Sequence, residues 1–145
     1  MKRKVIKYKS EEYNQSVKLR DKILRKPLGM VFTKEFLIND KHEFILGLFI
    51  NEKITATLNL KPLSNTSLKM RQVAVDDKNQ GQGLGSILVR FSEDYALKKG
   101  FNEIVLHARD TAVNFYLNLN YEITDPTVFY EVGIQHLRMR KKLTP

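Results

Sequence analysis

Residues 79–91 read NQGQGLGSILVRF: three glycines in five positions, Gly81, Gly83 and Gly85, run straight into an apolar pattern with helical spacing. A dinucleotide-binding GxGxxG loop should follow a strand directly, with its third small residue at another offset. Here the spacing is GxGxG, and five polar residues, Asp76 to Gln80, precede it. No Gly-Lys-Ser/Thr closes the cluster, so a Walker A loop is excluded. Glycines at the start of a helix leave backbone N–H groups uncrowded, where they lack intrahelical partners and the helix dipole is positive. That arrangement suits a pyrophosphate, whereas the bland reading is a flexible loop whose glycines allow tight packing.

Downstream, Leu84, Ile87, Leu88, Phe91 and Tyr95 form one helical stripe, predicting a buried face on a helix to about Lys99 with Gly100 as its C-cap. EIVLHA then reads as a strand. Thr111 is placed to cap a short helix through Leu119, with Asn120 where a left-handed residue is wanted. A strand at Glu122 to Thr124, a turn at Asp125-Pro126 and a last strand around Gln135 to Lys141 complete the chain. Upstream, Val5, Ile6 and Tyr8 suggest a first strand, and Ser10 with Glu11 and Glu12 an N-capped helix to about Leu24. RKPLG, with Pro27 and Gly29, stops that helix, and Thr33 caps a second, short one. EFILGLFI and ITATLNL flank Asn51-Glu-Lys as a hairpin, and LKMRQVAV extends it to a three-stranded antiparallel meander. The order β, α, α, β, β, β, α, β, α, β, β describes a mixed α/β sheet with helices on its faces.

With 145 residues, 42% of them hydrophobic, the chain is expected to build a single domain with one core. The absence of cysteine excludes disulfides, thiolate metal sites and a cysteine nucleophile. Histidines 42, 107 and 136 are too scattered to read as a metal cluster, so no metal is expected. MKRKVIKYK carries no apolar signal core, and no run approaches the roughly 18 apolar residues of a membrane span. A cytoplasmic location without a membrane partner is the expectation. The net charge of +9 favours anionic partners without choosing among them. Its clusters, including Lys18, Arg20, Lys22, Arg25 and Lys26, are read mainly as solvated faces. No aromatic residues interleave them as a single-strand stacking platform requires, which disfavours nucleic acid.

Gln80-Gly81-Gln82-Gly83-Leu84-Gly85 resembles the Q/R-x-x-G-x-G/A signature of the Gcn5-related N-acetyltransferases, whose loop and following helix hold the pyrophosphate of acetyl-coenzyme A. A second segment, Ala112 to Tyr121 with Phe115-Tyr116 at its centre, is similar to the family's later A-x-x-x/F-Y-x-x-x-G-F motif. The resemblance spans essentially the whole chain. It implies the acyl-CoA N-acyltransferase fold, a mostly antiparallel sheet with one splayed strand pair flanked by about four helices. It further implies that Arg71 to Val75 part from Ile104 to His107, so that the pantetheine arm pairs with the main chain of Val73, Ala74 and Val75. The implied cofactor-binding set is Val73, Ala74, Val75, Gln80, Gly81, Gln82, Gly83, Leu84, Gly85, Ser86, Arg109, Asn114 and Tyr116. Arg109 stands where the family often has Asn, and an arginine there suits a phosphate. Asn120 replaces the family's usual Gly, a mild change because Asn tolerates the left-handed conformation.

The implied reaction is direct attack of a primary amine, on a small molecule or peptide, on the acetyl-coenzyme A thioester. Tyr116 matches the tyrosine near the sulfur and keeps its proton at neutral pH, ready to donate to the thiolate. Its bland alternative is a packed ring with a satisfied hydroxyl. For the general base the candidates are Glu131 and His136, with His107 on the central strand; a water relay is the alternative. EVGIQH and RKPLG together resemble a small bacterial subgroup of these enzymes, which places Glu131 and His136 at the acceptor. Arg25, Pro27, Leu28 and Gly29 form either one wall of the acceptor pocket or simply a helix stop. Two other classes stay open at this level. A non-catalytic acyl-coenzyme A-binding regulator would bind without turnover, and a basic nucleic-acid module would show steep salt dependence and ignore acetyl-coenzyme A. A homodimer is expected from related folds, without an identified interface.

Overall fold

In the computed structural model, which describes residues 1–145, the strands are Lys2–Ile6 (β1), Phe44–Ile50 (β2), Lys53–Pro62 (β3), Ser67–Val75 (β4), Glu103–Arg109 (β5), Glu122–Glu131 (β6) and Ile134–Lys142 (β7). The α-helices are Glu11–Arg20 (α1), Lys34–Leu37 (α2), Leu84–Lys98 (α3) and Val113–Asn118 (α4). The strands join in the order β1-β2-β3-β4-β5-β7-β6. β1–β2, β2–β3, β5–β7 and β6–β7 pair antiparallel, whereas β4 and β5 run parallel over four pairs, Ser67↔Glu103 to Met70↔Leu106. The element order and the mixed sheet are those the pattern predicts. By packing, the chain divides into two compact units: Met1–Lys61 with Arg71–Ser92, and Pro62–Met70 with Glu93–Pro145.

In the first unit, the Ser10 side chain accepts from the Tyr13 amide at 3.1 Å, and Glu11 and Glu12 face the positive end of α1. Pro27 supplies no N–H to continue a helix, so the chain loosens into a π turn over Asp21–Arg25 and a 3-10 turn over Lys26–Leu28, ending at left-handed Gly29 (φ 68°). Thr33 caps α2 by accepting from the Phe36 amide. Tyr8 lies beyond β1, in a turn that Lys9 makes at φ 63°. Ile6, Tyr13, Ile45 and Phe49 form a core cluster with Tyr8, Val17 and Ile54 against it. Gly47 is needed there: a β carbon would lie 2.9 Å from Ile6 Cδ1 and 3.0 Å from Phe49 Cε1.

Inside this unit is a polar network that corrects the reading of Arg20 as a solvated residue. Arg20 is 0% exposed and Asp40 1%. The Arg20 guanidinium donates to Asp40 Oδ2 and to Gln72 Oε1, each at 2.9 Å. Asp40 also accepts from the Tyr13 hydroxyl at 2.7 Å and from Asn59 Nδ2 at 3.1 Å. The physical reason lies in helix geometry. Arg20 is seven residues beyond Tyr13, on the same inward stripe of α1 as Leu19 and Ser16, and burial forces its charge to find a partner.

In the second unit, Ile104, Leu106 and Ala108 of β5 are buried and alternate with half-buried Val105, His107 and Arg109. At the end of α3, Phe101 N donates to Ala96 O and Gly100 N to Leu97 O, with Gly100 at φ 91°, a Schellman-type stop. Asn120 adopts the expected left-handed conformation (φ 71°).

Three local expectations are corrected. Thr111 does not cap α4: Asp110–Ala112 form a 3-10 turn, and Asp110 Oδ1 accepts from the Thr111 amide. Asp125-Pro126 does not end a strand. It is absorbed as an irregularity between Ile123 and Phe129 in one continuous β6, where the displaced register leaves Pro126 without the need for a ladder donor. On α3 the fully buried positions are Leu88, Val89, Ser92 and Ala96, while Ile87, Phe91 and Tyr95 are only half-buried. Small Ser92 and Ala96 occupy the most enclosed side, with Ser92 Oγ bonded to Val89 O.

Candidate functional site

The glycine loop lies in the first unit. Its lead-in is firmly built: Asp76 N donates to Thr55 O at 2.8 Å, Asp76 accepts from the Lys78 amide, and Lys22 Nζ stands 3.0 Å from both Asp76 and Asp77. Gln80 Nε2 donates back to Val75 O at 3.1 Å. Gly81 and Gly83 then take φ 82° and 76°, conformations that disfavour any side chain, and a β carbon at either would meet nothing within 4 Å. The glycines therefore serve conformation and an open approach to the backbone, not close packing within the loop.

The first helical bond of α3 runs from Ile87 N to Gly83 O, so the amides of Leu84, Gly85 and Ser86 have no intrahelical acceptor. No acidic side chain stands in that first turn to answer the dipole. Buried Leu84 anchors the turn while Gly81, Gln82 and Gly83 stay exposed. Such a turn receives an anion through its backbone.

On β4, Gln72 is left-handed at φ 54°, rare for a residue with a side chain. The Arg20 bond to its side chain ties this distortion to the buried network. Just beyond it, Val73 and Val75 are half-buried and Ala74 is buried. Arg71 Nη1 donates to Glu43 Oε2 at 2.7 Å, and its guanidinium lies 5.8 Å from the Phe36 ring. Phe32 and Phe36 stack at 5.4 Å, with Arg25 over both at 4.9 and 5.1 Å. Pro27, Leu28 and Gly29 are exposed, and Gly29 does terminate the helical run. This aromatic–guanidinium cluster escaped the sequence reading. Its signal was the spacing of Phe32 and Phe36, four apart across a capped turn.

In the second unit, Tyr116 of α4 is 7% exposed, edge-on to Phe115 at 5.0 Å and Tyr121 at 5.6 Å. Burial pushes its phenol up to about 12, so it stays protonated at neutral pH. Tyr121 is held by its hydroxyl bond to Glu93 Oε2 at 2.9 Å, and Lys141 pairs with Glu93 Oε1 at 2.9 Å. Asn114 is exposed on α4.

The three base candidates converge. His107 Nδ1 hydrogen-bonds Glu131 Oε1, and its ring is edge-on to Phe129 at 4.9 Å. Phe129 lies directly across from His136, whose ring is 5.8 Å away, and the Arg138 guanidinium covers Phe129 at 4.1 Å. His136 is buried, with Nδ1 2.7 Å from Ile134 O. Arg109 opposes His136 and His107 opposes Arg138 in the β5–β7 ladder, so these four side chains share one sheet face. The Val132-Gly133 turn, with φ 46° and 76°, sets the register that brings Glu131 to this face. Burial, then Lys69, pushes His107 below the usual histidine range, while Glu131 pulls the other way.

Among proteins of known sequence, the Bacillus subtilis protein named Uncharacterized N-acetyltransferase YjcF is 30% identical over 73 residues. That match takes in 50% of this chain and 52% of the relative, so the chain matches about half the length of that protein. Among solved structures, a candidate N-acetyltransferase from Lactobacillus plantarum matches with a TM-score of 0.87 at 23% identity, over 99% of this chain and 100% of the other. A GNAT family acetyltransferase from Elizabethkingia anophelis, solved with acetyl-CoA bound, matches with a TM-score of 0.72 at 19% identity, over 98% and 97% of the two chains. The family model described as Acetyltransferase (GNAT) domain matches residues 12–143, taking in both the glycine loop and the Phe115-Tyr116 segment: the chain belongs to the GNAT acetyltransferase family.

Proposed function

We propose that the protein is an acetyl-coenzyme A-dependent N-acetyltransferase that acetylates a primary amine of a small molecule or peptide by direct attack on the thioester. The observation that carries this reading is the loop Gly81–Gly83. Two left-handed glycines open onto the acid-free first turn of a 15-residue helix, an anion receptor at the place where the family binds its cofactor. In this reading the amides of Gly81 to Ser86 receive the pyrophosphate, and the main chain of Val73 to Val75 pairs with the pantetheine arm. The relative solved with acetyl-CoA supports the cosubstrate.

Tyr116 is the proton donor to the departing thiolate. Its phenol carries a proton at neutral pH and can hydrogen-bond it to sulfur as charge develops there, transferring it as the new amide nitrogen gives up its own. Glu131 and His136, on one sheet face of the second unit, belong to acceptor handling in this reading, and Arg109 beside them to a phosphate of the cosubstrate.

The test is thermal denaturation with acetyl-coenzyme A, followed by thiol release over a panel of small amines and short peptides. A cosubstrate at a hundred times its dissociation constant stabilises by about 2.7 kcal/mol, a shift easily read in Tm. An unchanged Tm at millimolar acetyl-coenzyme A sinks the reading.

A further inference from the structure

We infer that His107, oriented by Glu131, is the general base that takes the proton from the acceptor ammonium. This rests on the acetyltransferase reading and deepens it. An ionised carboxylate can only accept, so the bond to Glu131 Oε1 places the proton of the neutral imidazole on His107 Nδ1 and makes Nε2 its basic atom. The ring plane is fixed on one side by edge-on Phe129, itself clamped under the Arg138 guanidinium. Nucleophile activation by an imidazole that a third group orients needs this sequence of contacts.

Burial distinguishes the pair from the rest of the cluster. The His107 and Glu131 side chains are 28% and 43% exposed, open enough to meet an incoming amine and to pass the proton on to water. His136 is nearly enclosed and spends Nδ1 on the Ile134 carbonyl. It backs Phe129 and is a positioning residue here. The charged groups facing His107 are Lys69 on β4, Arg109 on its own strand, Arg138 opposite it on β7, and Glu131 and Asp125 on β6. Burial, then Lys69 and Arg138, favours the neutral imidazole, the form a base must have, while Glu131 stabilises the imidazolium once it forms.

The proton and electron count closes. His107 Nε2 takes one proton from R–NH3⁺, and the amine lone pair then forms the C–N bond to the thioester carbonyl carbon. Collapse breaks C–S and leaves the electron pair on sulfur. Tyr116 protonates the sulfur and is reprotonated from the nitrogen that has become an amide, and His107 releases its proton to solvent.

The test uses the amine of the panel that gives the fastest thiol release with the wild-type protein. His107→Gln is expected to lower kcat/KM at pH 7 roughly a hundred- to ten-thousand-fold with acetyl-coenzyme A affinity unchanged, and to abolish the acidic limb of the pH profile. Free imidazole is expected to restore part of the rate to His107→Ala. Glu131→Gln is expected to move that limb, and the NMR titration of His107, to lower pH, because the anion that favours imidazolium is gone. A His107→Gln enzyme that keeps both rate and limb, or a His107 titration indifferent to Glu131→Gln, overturns the assignment while wild-type turnover leaves the acetyltransferase reading intact. A wild-type protein that binds acetyl-coenzyme A yet releases thiol with no amine overturns both.

Discussion

Each unit of the molecule contains an acid–base pair, and the two are built on opposite terms. Arg20 and Asp40 are almost completely enclosed, and Tyr13, Asn59 and Gln72 add hydrogen bonds to the pair. His107 and Glu131 are half-open, and the imidazole retains one basic nitrogen. A buried pair with its partners in place fixes geometry, because separating it would strand a charge in a medium of low dielectric. A half-exposed pair holds its partners less rigidly but can exchange a proton with something that arrives. The difference teaches which charges to read as scaffold and which as chemistry: the criterion is what capacity remains after the protein's own bonds are made.

The largest expected effect breaks the scaffold side of this comparison. Asp40→Ala leaves Arg20 buried and unpaired and is expected to cost about 3–5 kcal/mol of stability, a Tm loss of roughly 10 °C or more. Glu131→Gln, at an exposed pair, is expected to move stability by no more than about 0.5 kcal/mol. Equal losses from the two variants, read by chemical denaturation, would erase the distinction.

Next in size is Tyr116→Phe, which is expected to lower turnover roughly ten- to a thousand-fold with acetyl-coenzyme A affinity nearly unchanged. Unaltered single-turnover rates would reduce Tyr116 to a packing residue. Gly83→Ala should weaken acetyl-coenzyme A binding about tenfold by calorimetry, because a side chain in the left-handed conformation costs about 1–2 kcal/mol and the loop escapes by shifting its amides. Undiminished affinity would detach the loop from the pyrophosphate.

Val132→Asn is expected to stabilise the β6–β7 turn by up to about 1 kcal/mol, since Val132 bears a branched side chain at φ 46° and Asn-Gly suits such a turn. A lower midpoint in urea would contradict that account.

The smallest effect is a pH dependence. His107 is depressed in the folded state, so below its ordinary value of about 6.5 the unfolded chain binds more protons and is favoured. The resulting stability is present above that pH and is lost as pH falls through the folded-state value. Solvent screening keeps the loss modest. His107→Gln should flatten the stability curve between pH 7 and 5, and an unchanged slope would assign the dependence to other groups.

Much of the fold was legible because its signals are local. Ser10 and Thr33 cap the helices expected of them, and Asn51-Glu52 and Asn120 adopt the left-handed backbone that turn and C-cap chemistry require. The conformation of the glycine loop was legible for the same reason: the left-handed backbone at Gly81 and Gly83 is what glycine spacing records. One failure was itself local: Thr111 resembles a cap but loses the role to the 3-10 turn begun by its neighbour Asp110. The other was long-range: Arg20 resembles a surface charge until Asp40, twenty residues away, is placed beside it.

By itself the sequence determined the order of elements and the left-handed glycine turn that opens α3, each a property of residues close together in the chain. Only tertiary structure decided that Glu131 belongs to His107 and not to His136, five residues along its own hairpin. That partnership depends on a turn setting the register of β6 on β7, and on β7 lying beside β5. A shift of one residue would send the carboxylate to the other face of the sheet, and no pattern within a single strand records which shift is taken.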